Sequence, residues 1–211
     1  MERAFRVLIA AAAWAGLGIQ LWILLSGGAF ETPALAVWRF AAFFTILTNL
    51  IVAIVSTISA LAPESAFGRF VGGANARAAA VLHIGAVGVI YPLVLAGLWD
   101  PQGWQLIADQ LLHTATPVLV TAGWLLFDRK DGLSFKALPL YLLYPVGYTL
   151  YALARGAGDG FYPYPFIDVS QIGYPRAFLN IAGLTGAFVI GAGVIILLGK
   201  ALSGAGIRQA A

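Results

Sequence analysis

The stretch "DQLLHTATPVL" at residues 109–119 places side chains that can move protons inside an otherwise apolar run. Asp109 and His113 are four residues apart, so on a helix they share one face and can touch. Histidine suits proton transfer near neutral pH, and a carboxylate beside it can hold one imidazole tautomer. An ionisable residue within a membrane span costs about 2.5–3.5 kcal/mol on insertion scales. This cost favours a functional role for His113, with Asp109 orienting the ring.

A histidine base needs a nucleophile, and "FFTILTNL" at residues 43–50 supplies hydroxyl groups. Thr45 with His113 is a minimal pair for acyl transfer, in which the histidine activates the hydroxyl. By helical rise, Thr45 lies roughly 9 Å beyond Arg39 and His113 roughly 13 Å beyond Trp104, which places the two at similar depth. Acyl transfer also needs donors for the oxyanion. The residues predicted to bind substrate are Thr48, which is also a rival nucleophile, Asn49 and Asn180 as donors, and Arg176 and Arg39 at the mouth of the site.

Composition determines the elements that position these residues. Of the 211 residues, 61% are hydrophobic and 10% are charged, against roughly 25% charged in a soluble domain. Each apolar run is close to the length that crosses a bilayer as a helix, whereas a membrane barrel would show short alternating segments. The sequence therefore predicts an all-α, single-domain bundle of six transmembrane helices, at residues 7–25, 40–61, 78–99, 104–127, 137–154 and 177–199.

Basic residues predict the orientation of the bundle, because cytoplasmic connections are enriched in Lys and Arg. With the N-terminus inside, the cytoplasmic side holds Arg3, Arg6, Arg69, Arg77, Arg129, Lys130, Lys136, Lys200 and Arg208, and the outer side holds Arg39, Arg155 and Arg176. We therefore expect both termini to be cytoplasmic, the first span to be retained, and the connections 27–37, 100–103 and 155–175 to face outward. The site would open to the periplasmic side of a bacterial inner membrane. The net charge of +3 indicates no nucleic-acid partner.

Other chemistries lack the necessary residues. The absence of cysteine excludes thiolate metal sites and cysteine nucleophiles, and two histidines with one intramembrane carboxylate are too few for a zinc hydrolase. We expect no cofactor and no metal. Two alternatives stay open: a lipid-binding or carrier protein without chemistry, and a bis-histidine haem protein using His83 and His113. The sequence favours a packed, neutral His83 over a ligand.

Three short motifs carry a resemblance. "FFTILTNL", "LLHTATPVLV" at residues 111–120 and "YPF" at residues 164–166 resemble, in order and placement, motifs of the androgen-induced and androgen-dependent TFPI-regulating family of six-helix membrane proteins. The resemblance implies a threonine hydrolase that cleaves fatty acid esters of hydroxy fatty acids, with Thr45 as nucleophile and His113 as base. Animal members have Asn-His where this chain has Asp109-Gln110. The spacing from Thr45 to Asn49 is one residue longer than the family's, which keeps Thr48 as an alternative nucleophile.

Overall fold

A computed structural model describes residues 1–204 of the chain, so Arg208 of the predicted cytoplasmic set lies outside the described residues. Those residues form helices and connections, with no strand among them. The helices are α1 (Glu2–Ser26), α2 (Pro33–Phe40), α3 (Phe44–Leu61), α4 (Ala66–Val71), α5 (Ala74–Ile90), α6 (Trp104–Gln110), α7 (Thr116–Phe127), α8 (Leu138–Asp159) and α9 (Val169–Gly204).

Six segments are long and apolar enough to cross a membrane, which confirms the predicted all-α bundle of six spans. Four of them are the single helices α1, α3, α8 and α9, the α8 span starting with a 3₁₀ turn at Phe135–Ala137. The third runs from Ala74 to Leu98 and the fourth from Trp104 to Phe127. The chain is accordingly a multi-pass membrane protein, and the side on which its termini lie stays a prediction.

The connections are shorter and more helical than the sequence indicated. The second span begins at Phe44 rather than residue 40, because α2 ends at Phe40 and a break separates the two helices. The long predicted connection 155–175 shrinks to residues 160–168, since α8 continues to Asp159 and α9 starts at Val169. Within α9 the chain kinks at Gly173, whose φ of 74° suits glycine.

Two spans contain a turn of π-helix, at Tyr91–Leu95 after α5 and at Leu111–Ala115 between α6 and α7. Proline explains the departure from α-helix in both, because it has no N–H to donate to the carbonyl four residues earlier. Pro92 lies within the first π turn, and Pro117 follows the second and frees the carbonyl of His113. Single π turns are frequent at functional sites, and these two place Tyr91 and His113 side by side.

Small residues allow close packing around the second π turn. A Cβ added to Gly16 of α1 would lie 2.9 Å from a methyl carbon of Leu112, and one added to Gly88 of α5 would lie 2.8 Å from Cβ of Pro117. Contacts this close leave no room for a methyl group. The segment that carries His113 is therefore held between α1 and α5.

Candidate functional site

A cavity of about 410 Å³ opens between the ends of the helices at the α2 side of the bundle. Three residues selected from the sequence line it together, namely Thr45, His113 and Arg39. Its wall is otherwise largely apolar and aromatic, including Phe43, Leu112 and the side chains of Tyr91 and Tyr164. A mostly apolar cavity with a few convergent polar groups is the usual form of a small-molecule site.

The Asp109–His113 pair has the geometry expected of neighbours one helical turn apart. Nδ1 of His113 lies 3.2 Å from the carbonyl oxygen of Asp109, in hydrogen-bonding geometry, and 3.0 Å from carboxylate oxygen Oδ1. The carboxylate contact is close but poorly aligned, so the carbonyl is the better acceptor. Because both groups accept, Nδ1 carries the hydrogen, and Nε2 of the neutral ring is left as the base. Asp109 is 4% exposed, so its carboxylate lies beside the imidazole and away from solvent.

Tyr91 holds the imidazole from its face. The two rings stack with centroids 3.6 Å apart and planes 10° from parallel. The Tyr91 hydroxyl in turn accepts a hydrogen bond of 2.8 Å from Nε1 of Trp99. The ring of His113 is therefore fixed both by its hydrogen bond and by stacking, which is the preorganisation that a general base requires.

Asn49 connects the backbone of the nucleophile candidate to the segment that carries the base. Its side-chain nitrogen donates to the carbonyl of Thr45 at 2.9 Å and to the carbonyl of Leu112, the residue before His113, at 3.2 Å. Asn49 is completely buried. One amide nitrogen thus bridges α3 and the second π turn, and it fixes Thr45 and His113 relative to each other.

Tyrosines of α8 explain why α3 can begin abruptly at Phe44, just before Thr45. The break between α2 and α3 leaves carbonyl groups without helical partners, and a buried carbonyl needs a donor. The hydroxyl of Tyr148 donates to Ala42 at 2.8 Å, and that of Tyr151 donates to Ala41 at 3.1 Å. Thr45 consequently sits on the first turn of a helix whose start is tied to α8.

Tyr164 contacts Thr45 and was not selected from the sequence as a site residue. Burial raises the pKa of Tyr164, and a hydrogen bond with the Thr45 side chain opposes that rise. The phenol therefore stays neutral and can donate a hydrogen bond next to the candidate nucleophile. The sequence signal for this residue is the "YPF" motif at residues 164–166.

Four other residues predicted to bind substrate do not line this cavity. The Thr48 hydroxyl is paired at 2.8 Å with the hydroxyl of Tyr144 and is 1% exposed. Both Asn49 and Asn180 use their side-chain nitrogens on backbone carbonyls, Asn180 on Phe166 at 2.9 Å. Arg176 is exposed near the start of α9. Of the predicted donors for an ester carbonyl, neither amide is brought to the cavity.

Arg39 lies at the cavity wall, as expected for a residue at the mouth. Its guanidinium carbon is 3.4 Å from the centroid of the Phe161 ring, a cation–π contact. Partial burial lowers the pKa of Arg39, and the nearby Asp159 carboxylate opposes this. Arginine stays charged at physiological pH all the same, so it supplies a cation at one edge of the cavity.

His83 has a different environment from His113. Its Nε2 lies 2.8 Å from the carbonyl of Tyr141, and its ring packs against Tyr144 and Phe188. It does not line the 410 Å³ cavity. Within residues 1–204, no three His, Asp or Glu side chains cluster closely enough to hold a metal ion.

No protein-family model, curated protein or solved structure matches this chain.

Proposed function

We propose that this protein is an intramembrane threonine hydrolase that cleaves lipid esters. The observation that carries the proposal is the Asn49 bridge, which joins the backbones of Thr45 and Leu112 through one buried nitrogen atom, next to a cavity lined by Thr45 and His113. A hydroxyl and an imidazole held in one cavity are the minimum for nucleophilic acyl transfer.

In the proposed reaction, Oγ1 of Thr45 attacks the ester carbonyl while Nε2 of His113 takes its proton. The tetrahedral oxyanion accepts a hydrogen bond from a neighbouring donor, for which the Tyr164 phenol is better placed than Asn49 or Asn180. The alcohol leaves with the proton from His113. Water then attacks the acyl-threonine, His113 takes a proton from that water, and the free acid departs as Thr45 recovers its hydrogen.

The lining of the cavity supports the proposed class of substrate. Phe43, Leu112 and the other apolar side chains suit a hydrocarbon chain, and Arg39 supplies a cation for a carboxylate. An ester that carries an acyl chain and a free acid group matches both features, which agrees with the resemblance to hydrolases of fatty acid esters of hydroxy fatty acids. We further propose that the family assignment holds, that the termini are cytoplasmic and that the cavity opens to the periplasmic side of a bacterial inner membrane.

Substitutions at the two threonines of α3 test the proposal. Purified protein in detergent is assayed on long-chain and short-chain nitrophenyl esters as wild type, Thr45→Ala, Thr45→Ser and Thr48→Val. We expect Thr45→Ala to abolish hydrolysis, Thr45→Ser to restore it in part, and Thr48→Val to retain most of it because Thr48 is paired with Tyr144. Hydrolysis that survives Thr45→Ala, or an absence of hydrolysis in wild type, would overturn the assignment.

The contacts of the two histidines disfavour the haem protein but leave the lipid-binding or carrier protein as an alternative. Haem ligation needs both imidazoles to face one space, whereas His83 is bonded to Tyr141 and His113 is stacked on Tyr91. A lipid-binding protein without chemistry would have the same apolar cavity, and it is the alternative that remains if wild type hydrolyses no ester.

A further inference from the structure

A second concavity lies on the other side of His113, in the groove between α5 and α7. It has a volume of about 880 Å³, and its walls are exposed surfaces of two membrane-spanning segments. Tyr91, Trp99 and His113 line both this groove and the 410 Å³ cavity. These three side chains therefore form the partition between a space inside the bundle and a space that faces the bilayer.

The groove has the length and direction of a lipid chain. It extends along α7 as far as Leu125, which is twelve residues beyond His113, or about 18 Å by helical rise. Because transmembrane helices and lipid chains both run near the membrane normal, a chain from the bilayer fits the groove without turning. Val89, Val118 and Leu125 are exposed apolar residues along this path.

A stripe of polar side chains follows the same groove. Gln110, Thr114 and Thr121 line it at spacings of four and seven residues, so they share one face of the α6–α7 span. Gln110 and Thr114 are exposed. Amide and hydroxyl groups that face hydrocarbon are unfavourable unless they find a partner, so the occupant of the groove must carry polar atoms as well as a chain.

We infer that this groove binds a lipid ester directly from the bilayer, with the acyl chain along α7 and the ester group at the level of Gln110 and Thr114, next to His113. The inference rests on the proposed function, since it makes the groove the route by which substrate reaches the imidazole. Tyr91 is the side chain that separates a lipid in the groove from the inner cavity.

Because the chain contains no cysteine, a single introduced cysteine can be labelled with a fluorophore for a quenching experiment. Val89→Cys is labelled with bimane, and Val194→Cys on α9 is the matched control, because both valines are 57% exposed and Val194 does not line the groove. The probe is methyl stearate with a nitroxide on its chain, an uncharged ester, at low mole fraction in phosphatidylcholine nanodiscs. All measurements use a Thr45→Ala background, so that binding is followed without hydrolysis.

We expect quenching at position 89 that saturates with the nitroxide ester and is reversed by unlabelled methyl stearate, and weaker, unsaturable quenching at position 194. Equal quenching at both positions would overturn the inference. Disulfide formation between unlabelled Val89→Cys chains, together with no quenching in the labelled protein, would overturn it as well and would indicate a contact between two chains.

A variant that fills the groove with a larger side chain distinguishes this inference from the proposed function. We expect Val89→Trp to lower kcat/KM for a long-chain ester by about tenfold and to leave a short acetyl ester unaffected, while Val194→Trp leaves both unchanged. Equal loss on both esters would contradict a chain-binding groove. If wild type hydrolyses neither ester, the proposed function fails, and the quenching result still decides whether the groove binds lipid.

Discussion

The regions around His83 and His113 each place an imidazole next to a tyrosine and a proline-containing helix, but the first is closed by packing and the second lies between two cavities. Pro145 of α8 cannot donate to the carbonyl of Tyr141, and Nε2 of His83 takes the place of that missing donor at 2.8 Å. Pro117 likewise frees the carbonyl of His113, but there the helix widens into a π turn.

This difference separates a structural histidine from a reactive one. In the His83 region the protonated ring nitrogen donates to a carbonyl of α8 that has no helical donor, and aromatic rings cover the imidazole. In the His113 region the hydrogen bond is made within the same helical turn, so Nε2 remains available on a ring that lines a cavity. A buried polar side chain whose bonds are used by the fold stabilises it, whereas one that faces a cavity can act on a ligand.

Among the substitutions that test this difference, His113→Gln has the largest expected effect. Loss of a general base lowers kcat/KM by about 10²–10⁴-fold, measured on the nitrophenyl esters. His83→Gln is the matched control, because its amide can still donate to Tyr141, and we expect its activity to stay near that of wild type. Similar losses in the two variants would remove the distinction between the regions.

Gly88→Ala tests how strongly the second region depends on close packing. The added Cβ would lie 2.8 Å from Cβ of Pro117, and overpacking of this kind destabilises a protein by about 1–3 kcal/mol. Gly85→Ala, one turn earlier in α5, meets no atom within 4 Å and should leave stability equal or higher. Thermal denaturation in detergent compares the two variants, and equal melting temperatures would show that the Gly88 contact is not tight.

The smallest expected effect is that of His83→Leu, which keeps most of the volume and removes the donor to Tyr141. Hydrogen bonds between membrane helices average about 0.6 kcal/mol, with a maximum near 1.7, and we expect a loss of stability in that range. Pro145→Ala in the same chain restores a backbone donor to Tyr141 and should recover the loss, as a double-mutant cycle would show. If Pro145→Ala gives no recovery, the role of His83 lies elsewhere.

The sequence was sufficient to predict the helical bundle, because a chain inside hydrocarbon has few ways to satisfy its backbone hydrogen bonds. Long apolar runs must therefore be helices. Helical rise predicted a similar depth for Thr45 and His113, and the structure has both in the lining of one cavity together with Arg39. The sequence could not give the partners of Asn49 and Asn180, because an amide binds whichever carbonyl a helix break or π turn leaves free, and those defects are not visible in hydropathy.

The sequence also did not predict that charged residues at the other end of the bundle are buried. Arg6 and Arg77 were counted as basic residues on the cytoplasmic side, but both are buried. The carboxylate of Asp128 pairs with Arg6 and lies 3.5 Å from Nε of Arg77. Arg77 also donates to the hydroxyl of Ser59. A pattern of charges therefore predicts which end of a span is polar, whereas burial of those charges depends on which helices meet there.

The most direct test of the central claim is to label the protein with a fluorophosphonate probe and to locate the adduct by peptide mass spectrometry. We predict one adduct, on Thr45, that is strongly reduced in His113→Gln and unchanged in His83→Gln. An adduct on Thr48, or labelling of Thr45 that is independent of His113, would contradict the account.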